Sequence, residues 1–279
     1  MRQVGLCLCL FLLAPYLWAG QGKLIATAAT TNIEGAAGGG IVPWAVLAGY
    51  DSRDETSMSV FRTRVEVDDY ALDSYGVAVG LFDRAELSVA HQSFHLNSLH
   101  TDIDQKVIGA KVRLYGDLVY SALPQVSVGI QYKRLLDGDI AGLVGAKNNR
   151  SGNDIYLAAS KVHLGAVAGY NLLWNLTVRR TKANQIGFLG FGGDKASDAS
   201  WQVEGSLAVL LNRRLAVGID YRQKPDNLGF AQEDDWADLF LAWFPNKHIN
   251  VTAAWAELGD IAGAKDQQGL YFSVTGYVW

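Results

Sequence analysis

His91, Ser93 and His95 occupy alternate positions within residues 85–96, so on an extended strand two imidazoles and a hydroxyl share the face of Leu87 and Val89. Groups of these types can transfer protons or attack an electrophile. A second set is spread along the chain: Glu86, Lys111, Arg113, Lys133, Arg179, Glu204, Asp220, Arg222 and Asp238 each stand on the polar side of an alternating stretch. Charges of both signs on one face can select solutes in water or cross-link a closed interior. What either set does depends on the elements that hold it.

Period two runs through most of the chain. Val126, Val128, Ile130 and Tyr132 oppose Ser127, Gly129, Gln131 and Lys133, and Leu215, Val217, Ile219 and Tyr221 oppose Ala216, Gly218, Asp220 and Arg222. Such alternation predicts strands with one oily and one wet face, near 41–51, 69–82, 85–96, 106–117, 124–135, 153–163, 171–183, 199–210, 214–224, 234–244, 247–258 and 268–279. The connections 83–84, 118–123, 164–170, 211–214 and 245–247 are short. Those at 52–68, 97–105, 136–152, 184–198, 225–233 and 259–267 are longer and rich in Asp, Gly and Asn. Short turns at one rim and long loops at the other belong to outer-membrane barrels, whereas a soluble sandwich or lipocalin-like barrel has no reason to segregate them. The expected fold is therefore all-β, a closed antiparallel transmembrane β-barrel of about twelve strands. Fourteen is the alternative if 23–33 and 58–67 add a further pair.

Trp44, Trp174 and Trp243 near the short-turn rim, and Tyr50, Tyr132, Trp201, Tyr221 and Trp255 near the loop rim, are expected on the apolar face as two aromatic girdles. The last strand ends on Tyr277 and Trp279, an aromatic signal for the barrel-assembly machinery. It is expected to close against 41–51, because an open edge in lipid leaves backbone groups unpaired.

Residues 1–20 read as a signal peptide to be removed: Arg2, an apolar run from Val4 to Tyr16, then Ala19 and Gly20. Leu17 and Trp18 keep a retained anchor open as the alternative. Cys7 and Cys9 both lie in this segment, so the mature chain carries no thiol. With 19% charged residues and a net charge of −4, composition alone resembles that of a soluble protein. No later stretch approaches the roughly 18 apolar residues of a membrane helix. Residues 21–40, with Gly35, Gly38, Gly39 and Gly40, are expected to be a flexible entry or a small lumenal plug preceding a barrel domain over 41–279. No strand leading into a helix frames them as a phosphate loop.

The run Thr181-Lys182-Ala183-Asn184-Gln185 into Gly187-Phe188-Leu189-Gly190-Phe191-Gly192-Gly193, with Gly39 to Trp44 and Asp73 to Leu81, resembles a proteobacterial outer-membrane barrel family known as a domain of unknown function. That resemblance covers most of the mature chain and implies architecture only. The triplet His91-Gln92-Ser93 is similar to the His-x-Ser arrangement of outer-membrane phospholipase A, a twelve-stranded barrel that hydrolyses lipids. This resemblance implies Ser93 as nucleophile and His91 as its base. It ends there, because Phe94 and His95 replace the Asn-Gly of that family and 106–116 holds no orienting asparagine.

The inward charges point to a narrow pore or small-solute transporter in a Gram-negative outer membrane. A structural or adhesive barrel with a blocked lumen is one alternative, and a lipid hydrolase using Ser93 and His91 is another. No catalysis, cofactor, metal or nucleic acid is expected. The expected partners are outer-membrane lipid, lipopolysaccharide and the assembly machinery. Asp102, Asp104, Asp137, Glu233, Asp234 and Asp235 are expected in solvated loops, some near divalent cations.

Overall fold

Residues 56–67, Thr-Ser-Met-Ser-Val-Phe-Arg-Thr-Arg-Val-Glu-Val, alternate without a break between exposed and buried side chains, as a strand with two different surroundings must. They form the first wall strand in a computed structural model that describes residues 23–97, 100–137, 139–146 and 149–279. The signal peptide expected over 1–20, with Cys7 and Cys9, lies outside the described residues. Twelve strands make the wall: β1 (Thr56–Val67), β2 (Tyr70–Leu81), β3 (Ala85–Leu96), β4 (Thr101–Tyr115), β5 (Gln125–Leu135), β6 (Ser151–Val167), β7 (Tyr170–Thr181), β8 (Ser200–Asn212), β9 (Leu215–Arg222), β10 (Trp236–Trp243), β11 (Ile249–Ile261) and β12 (Ala264–Val278). Each pairs antiparallel with the next, and β12 closes on β1 from Gly269↔Val67 to Val278↔Met58. Closure leaves no unpaired edge.

Several expectations are corrected by this register. The first strand is not 41–51 but 56–67, and the supposed long loop 52–68 shrinks to a tight connection at Asp68 and Asp69. Met58–Val67, the companion strand of the fourteen-strand alternative, is real, yet 23–33 does not join it. The expected loops at 97–105 and 259–267 are also largely strand, so only 136–150, 182–199 and 223–235 are long. Tight reversals use paired residues with positive φ, such as Ala168 with Gly169 and Ala262 with Gly263, whose twist matches that of the flanking strands.

Residues 23–51 do not enter the wall. They fill the lumen, with a two-residue hairpin pairing Thr30 and Thr31 to Gly38 and Ala37. Wall side chains supply the hydrogen bonds that this segment's backbone lacks. The Ile33 carbonyl accepts from Ser74 Oγ (2.6 Å) and Gln92 Nε2 (2.7 Å), the Ala45 carbonyl from Gln125 (2.7 Å) and Ser127 (2.5 Å), and the Pro43 carbonyl from Thr177 (2.8 Å). Tyr277 Oη donates to the Ala29 carbonyl at 2.8 Å.

Two aromatic assignments fail for the same reason. Trp44 and Tyr50 belong to the lumenal segment, are buried, and take no part in an outer girdle; Trp44 Nε1 donates to Ser206 Oγ at 2.7 Å. Tyr277 and Trp279 face inward as well, packing around Tyr50 with ring centroids 5.4 and 5.3 Å away. Leu270 and Phe272 hold the exposed face of β12 instead, because Ser273 and Thr275 are on the wet side with Tyr277. Tyr132, Trp201, Tyr221 and Trp243 are exposed on the outer wall, and Trp174 is partly exposed there. Trp255 is also outward, but it sits midway along β11 rather than at a rim.

Close packing of the lumenal segment demands a glycine at position 38. A Cβ there would lie 2.2 Å from the Val42 carbonyl oxygen and 2.8 Å from Pro43 Cα, backbone atoms that cannot yield. Gly38→Ala should therefore unseat the segment while sparing the wall. The expected result is new cleavage by a non-specific protease between 24 and 50, with heat-modifiable migration of the barrel unchanged. Cleavage indistinguishable from that of the parent would contradict this packing.

Candidate functional site

Inward positions of β5 to β9 bring five charges together at mid-lumen around a sixth, Glu34. Lys133 contacts Glu34 and also pairs with Asp154 at 2.6 Å. Arg179 reaches Glu34 at 3.4 Å, Asp154 at 3.2 Å and Glu204, while its Nη1 donates to Gln131 at 2.7 Å. Arg222 pairs with Glu34 at 2.9 Å and Glu204 at 3.6 Å. Three cations meet three carboxylates, all of them buried. Only Glu34 comes from the lumenal segment, and it bridges all three cations.

Smaller contacts extend the same pattern. Glu86 accepts the amides of Ala37 (3.2 Å) and Ala48 (2.8 Å), and its partner Lys111 donates to the carbonyls of Ala37 (2.9 Å) and Val46 (2.7 Å). Asp220 accepts the Ile41 amide at 3.3 Å, and Asp238 lies directly across from it on β10. Gly39 allows this approach, since a Cβ would fall 2.2 Å from Asp220 Oδ2.

Eight of the nine inward charges expected from the alternation, Glu86, Lys111, Lys133, Arg179, Glu204, Asp220, Arg222 and Asp238, are buried in the lumen. Arg113 instead lies at the turn rim. There it contacts Asp83, pairs with Asp117 at 3.3 Å, and lines a cleft of about 300 Å³ with Lys23, Arg53, Arg84 and Asp51. Sequence reasoning missed two members of the central cluster. Asp154 shares the inward parity of Tyr156 and Ala158, and Glu34 is the sole charge between Lys23 and Asp51; both signals were readable.

The loop-rim mouth is closed differently. Asn184–Gly187 and the residues to Phe191 fold inward, and Phe188 stacks on Phe94 with centroids 5.2 Å apart. Around them Val65, Val67, Tyr70, Leu72, Trp236, Leu258 and Ile261 form an apolar collar. Gln185 and Ile186 hold positive φ of 44° and 55°, an uncommon state for non-glycine residues that the surrounding packing must enforce. Lys224 Nζ donates to Gln185 Oε1 at 3.1 Å and lies 3.5 Å from Glu233, 5.0 Å over the Trp236 ring. Glu233, expected in a solvated loop, is thus buried in this cap.

On the outer wall, His91, Ser93 and His95 stand outward beside Leu87 and Val89. Because β4 begins at Thr101 rather than 106, it carries two acids opposite them that the shorter strand lacked. Ser93 Oγ donates to Asp104 at 2.5 Å, and His91 Nε2 lies 3.5 Å from Ser93 Oγ and 3.7 Å from Asp104. Both of these approaches use one ring nitrogen, so Asp104 competes with His91 for the hydroxyl instead of orienting the ring from its other side. His95 is held by Asp102 (2.7 Å) and Asp73 (3.2 Å). Among the described residues no group of three or more His, Cys, Asp or Glu side chains is arranged to hold a metal ion.

A closed twelve-strand antiparallel barrel with an apolar outer wall, a charged lumen and an N-terminal segment folded inside it defines the class. Residues 27–275 match the family described as "Protein of unknown function (DUF3034)", and the chain belongs to that family. In fold it is similar to the KdgM porin (TM-score 0.49, 9% identity, 79% of this chain and 98% of that one). The NanC porin gives 0.49, 10%, 80% and 100%, and the COG4313 outer membrane channel from Pseudomonas putida F1 gives 0.46, 12%, 85% and 97%. No curated protein matches the sequence.

The cap carries a pH dependence of definite sign. Burial pushes the Glu233 carboxyl up to about 7 and pulls the Lys224 ammonium down to about 8, each against the attraction of the other. The Glu233 contribution to stability is full below its unfolded value of 4.5 and is lost as pH rises through about 7. That of Lys224 is present above 10.5 and lost as pH falls through about 8. The cap should therefore be least stable between these two values and tighten on acidification through the Glu233 range. Thermal midpoints are expected to rise on acidification more steeply for the parent than for Glu233→Gln, and parallel curves would refute the assignment.

Proposed function

We propose that this protein is a channel or small-solute transporter of the Gram-negative outer membrane, closed at rest by residues 23–51 and by the inward loop. Membrane placement is supported by the outer wall. Leu87, Val89, Ile108, Val112, Leu270 and Phe272 are each about half exposed or more, in contiguous rows far larger than the apolar patches water tolerates on a soluble protein. Lipopolysaccharide, outer-membrane lipid and the assembly machinery are the partners this placement implies.

The observation that carries the transport reading is the chemistry of the lumen wall. Ser74, Gln92, Gln125, Ser127, Ser160, Thr177, Ser206 and the charged residues bond to the segment along most of its length, while Ile41, Trp44 and Val46 share an apolar cluster with Leu173, Phe240 and Phe244. Water can replace each neutral bond of this kind at a net cost of only about 0.5–1.5 kcal/mol, and the ionic contacts of Glu34 are the costly exception. A filling meant to be permanent is better served by walls that are apolar throughout, whose contacts water cannot replace. At the other mouth, an apolar collar suits a gate that closes by excluding water.

Tethering tests this directly, because both native cysteines precede residue 20. The Ala45 amide donates to Ser160 Oγ at 2.9 Å, so Ala45→Cys with Ser160→Cys should pin the segment to β6. In planar bilayers the reduced protein should show intermittent current and the oxidised protein none. In that reduced protein, neutralising Arg113, Arg179 and Arg222 should shift selectivity toward cations, and Ser93→Ala should change nothing. Silence in both redox states would favour the structural barrel with a blocked lumen. Release of fatty acid from phospholipid, lost in Ser93→Ala, would favour the hydrolase.

A further inference from the structure

One height on the outer wall breaks the apolar pattern across five neighbouring strands. Arg62, Tyr75, His91, Lys106 and Arg134 are direct cross-strand partners in sequence around the barrel, from β1 to β5. All five face outward. The row immediately below them, toward the turn rim, is Val60, Val77, Val89, Ile108 and Tyr132, in the same unbroken register. The cationic row therefore lies at the upper border of the apolar belt.

Within this row the charges are not balanced by the protein. Lys106 and Arg134 stand directly opposite each other, an arrangement that like charges make unfavourable in the absence of an anion. Among the described residues neither has an ion-pair partner, whereas the acids one row above are already engaged. Asp73 takes Arg64 at 2.7 Å and His95 at 3.2 Å, and Asp104 takes Ser93. Arg62 reaches only the far oxygen of Asp73, at 3.6 Å, and its side chain is 73% exposed. Tyr75 lies between Arg62 and His91, its ring centroid 5.2 Å from the imidazole, and offers a flat, half-exposed surface with a hydroxyl.

We infer that this row binds the phosphorylated headgroup of a glycolipid in the outer leaflet. The acyl chains would run down the wall past the Val60 to Tyr132 row, one phosphate would lie between Lys106 and Arg134, and Arg62 with the Tyr75 hydroxyl, which begin two to three strands or roughly 10–14 Å around the wall from Lys106, would meet a second. Guanidinium and ammonium groups side by side supply the charge-assisted donors that a phosphate monoester needs. The inference rests on the membrane placement proposed above but not on conduction, and Ser93 and His91 are then flanking polar groups and not catalytic ones.

Retention of lipid A by the purified full chain in detergent tests it, with native mass spectrometry as the readout. Bis-phosphorylated lipid A should be retained, while the dephosphorylated lipid should bind at least about tenfold more weakly, as should the Lys106→Gln/Arg134→Gln double variant toward the phosphorylated lipid. These side chains are exposed and unpaired, so the variant should keep its heat-modifiable migration; a second variant, Arg180→Gln, outside the row, should bind as the parent does. Equal retention of the two lipids, equal retention by parent and double variant, or displacement by inorganic phosphate at the lipid's own concentration would overturn the assignment. Current recorded from the same preparations reports separately on the channel reading.

Discussion

Three carboxylates and three cations share a buried volume at mid-lumen, and the placement of everything else inside the barrel follows from how they satisfy one another. Withdrawing an ion from water costs several kcal/mol, recovered only when its partners are close and complete. The wall by itself supplies Lys133, Arg179 and Arg222 against Asp154 and Glu204, one cation too many. Glu34 completes the set, and removing one member of such a buried group costs about 3–5 kcal/mol. That deficit fixes the depth and rotation of the N-terminal segment. Once Glu34 is seated, the backbone on either side falls into register with Glu86, Lys111, Asp220 and the hydroxyl and amide side chains of β2 to β8.

The two closures of the lumen obey different physics. Around residues 23–51 the polar contacts can be exchanged one at a time for water, so their release is a matter of many small costs and one large one at Glu34, added to the apolar packing of Ile33, Ile41 and Trp44. At the loop rim, Phe188 against Phe94 and the surrounding collar exclude water as a unit. An opening that begins at the charged cluster would leave the apolar collar as a separate barrier. The Lys224 and Glu233 pair sits at that barrier and titrates near neutrality, which links the outer closure to pH and the inner one to charge balance.

The outer wall is built from the same alternation seen from its other side. Apolar rows from Met58 and Val79 through Val60 and Val77 give way, toward the loop rim, to arginine, lysine and histidine, then to acids. The polar groups there cross-link β1 to β4 on their outer face through Arg64, Asp73, His95 and Asp102. Ser93 belongs to this network. Its hydroxyl donates to Asp104, and His91 Nε2 lies 3.5 Å away.

Strand parity was legible in the sequence, because a two-residue period forces each side chain to one of two faces, and it placed Lys111, Lys133, Arg179 and Asp220 inward before any contact was known. Asp154 and Glu34 carry equally plain signals, an inward parity and a lone charge in an otherwise uncharged segment. The first strand is not legible, because 41–51 is as apolar as a wall strand and local composition cannot distinguish a segment buried in lipid from one buried in a lumen. The same ambiguity is what sets Trp44 and Tyr50 in an outer girdle when composition alone is read. Which strand β12 meets, and what lies within the ring it closes, are matters of long-range pairing. Backbone hydrogen bonds between Gly269–Val278 and Met58–Val67, and the charge that Glu34 brings to three distant strands, decide them only when the whole barrel has formed.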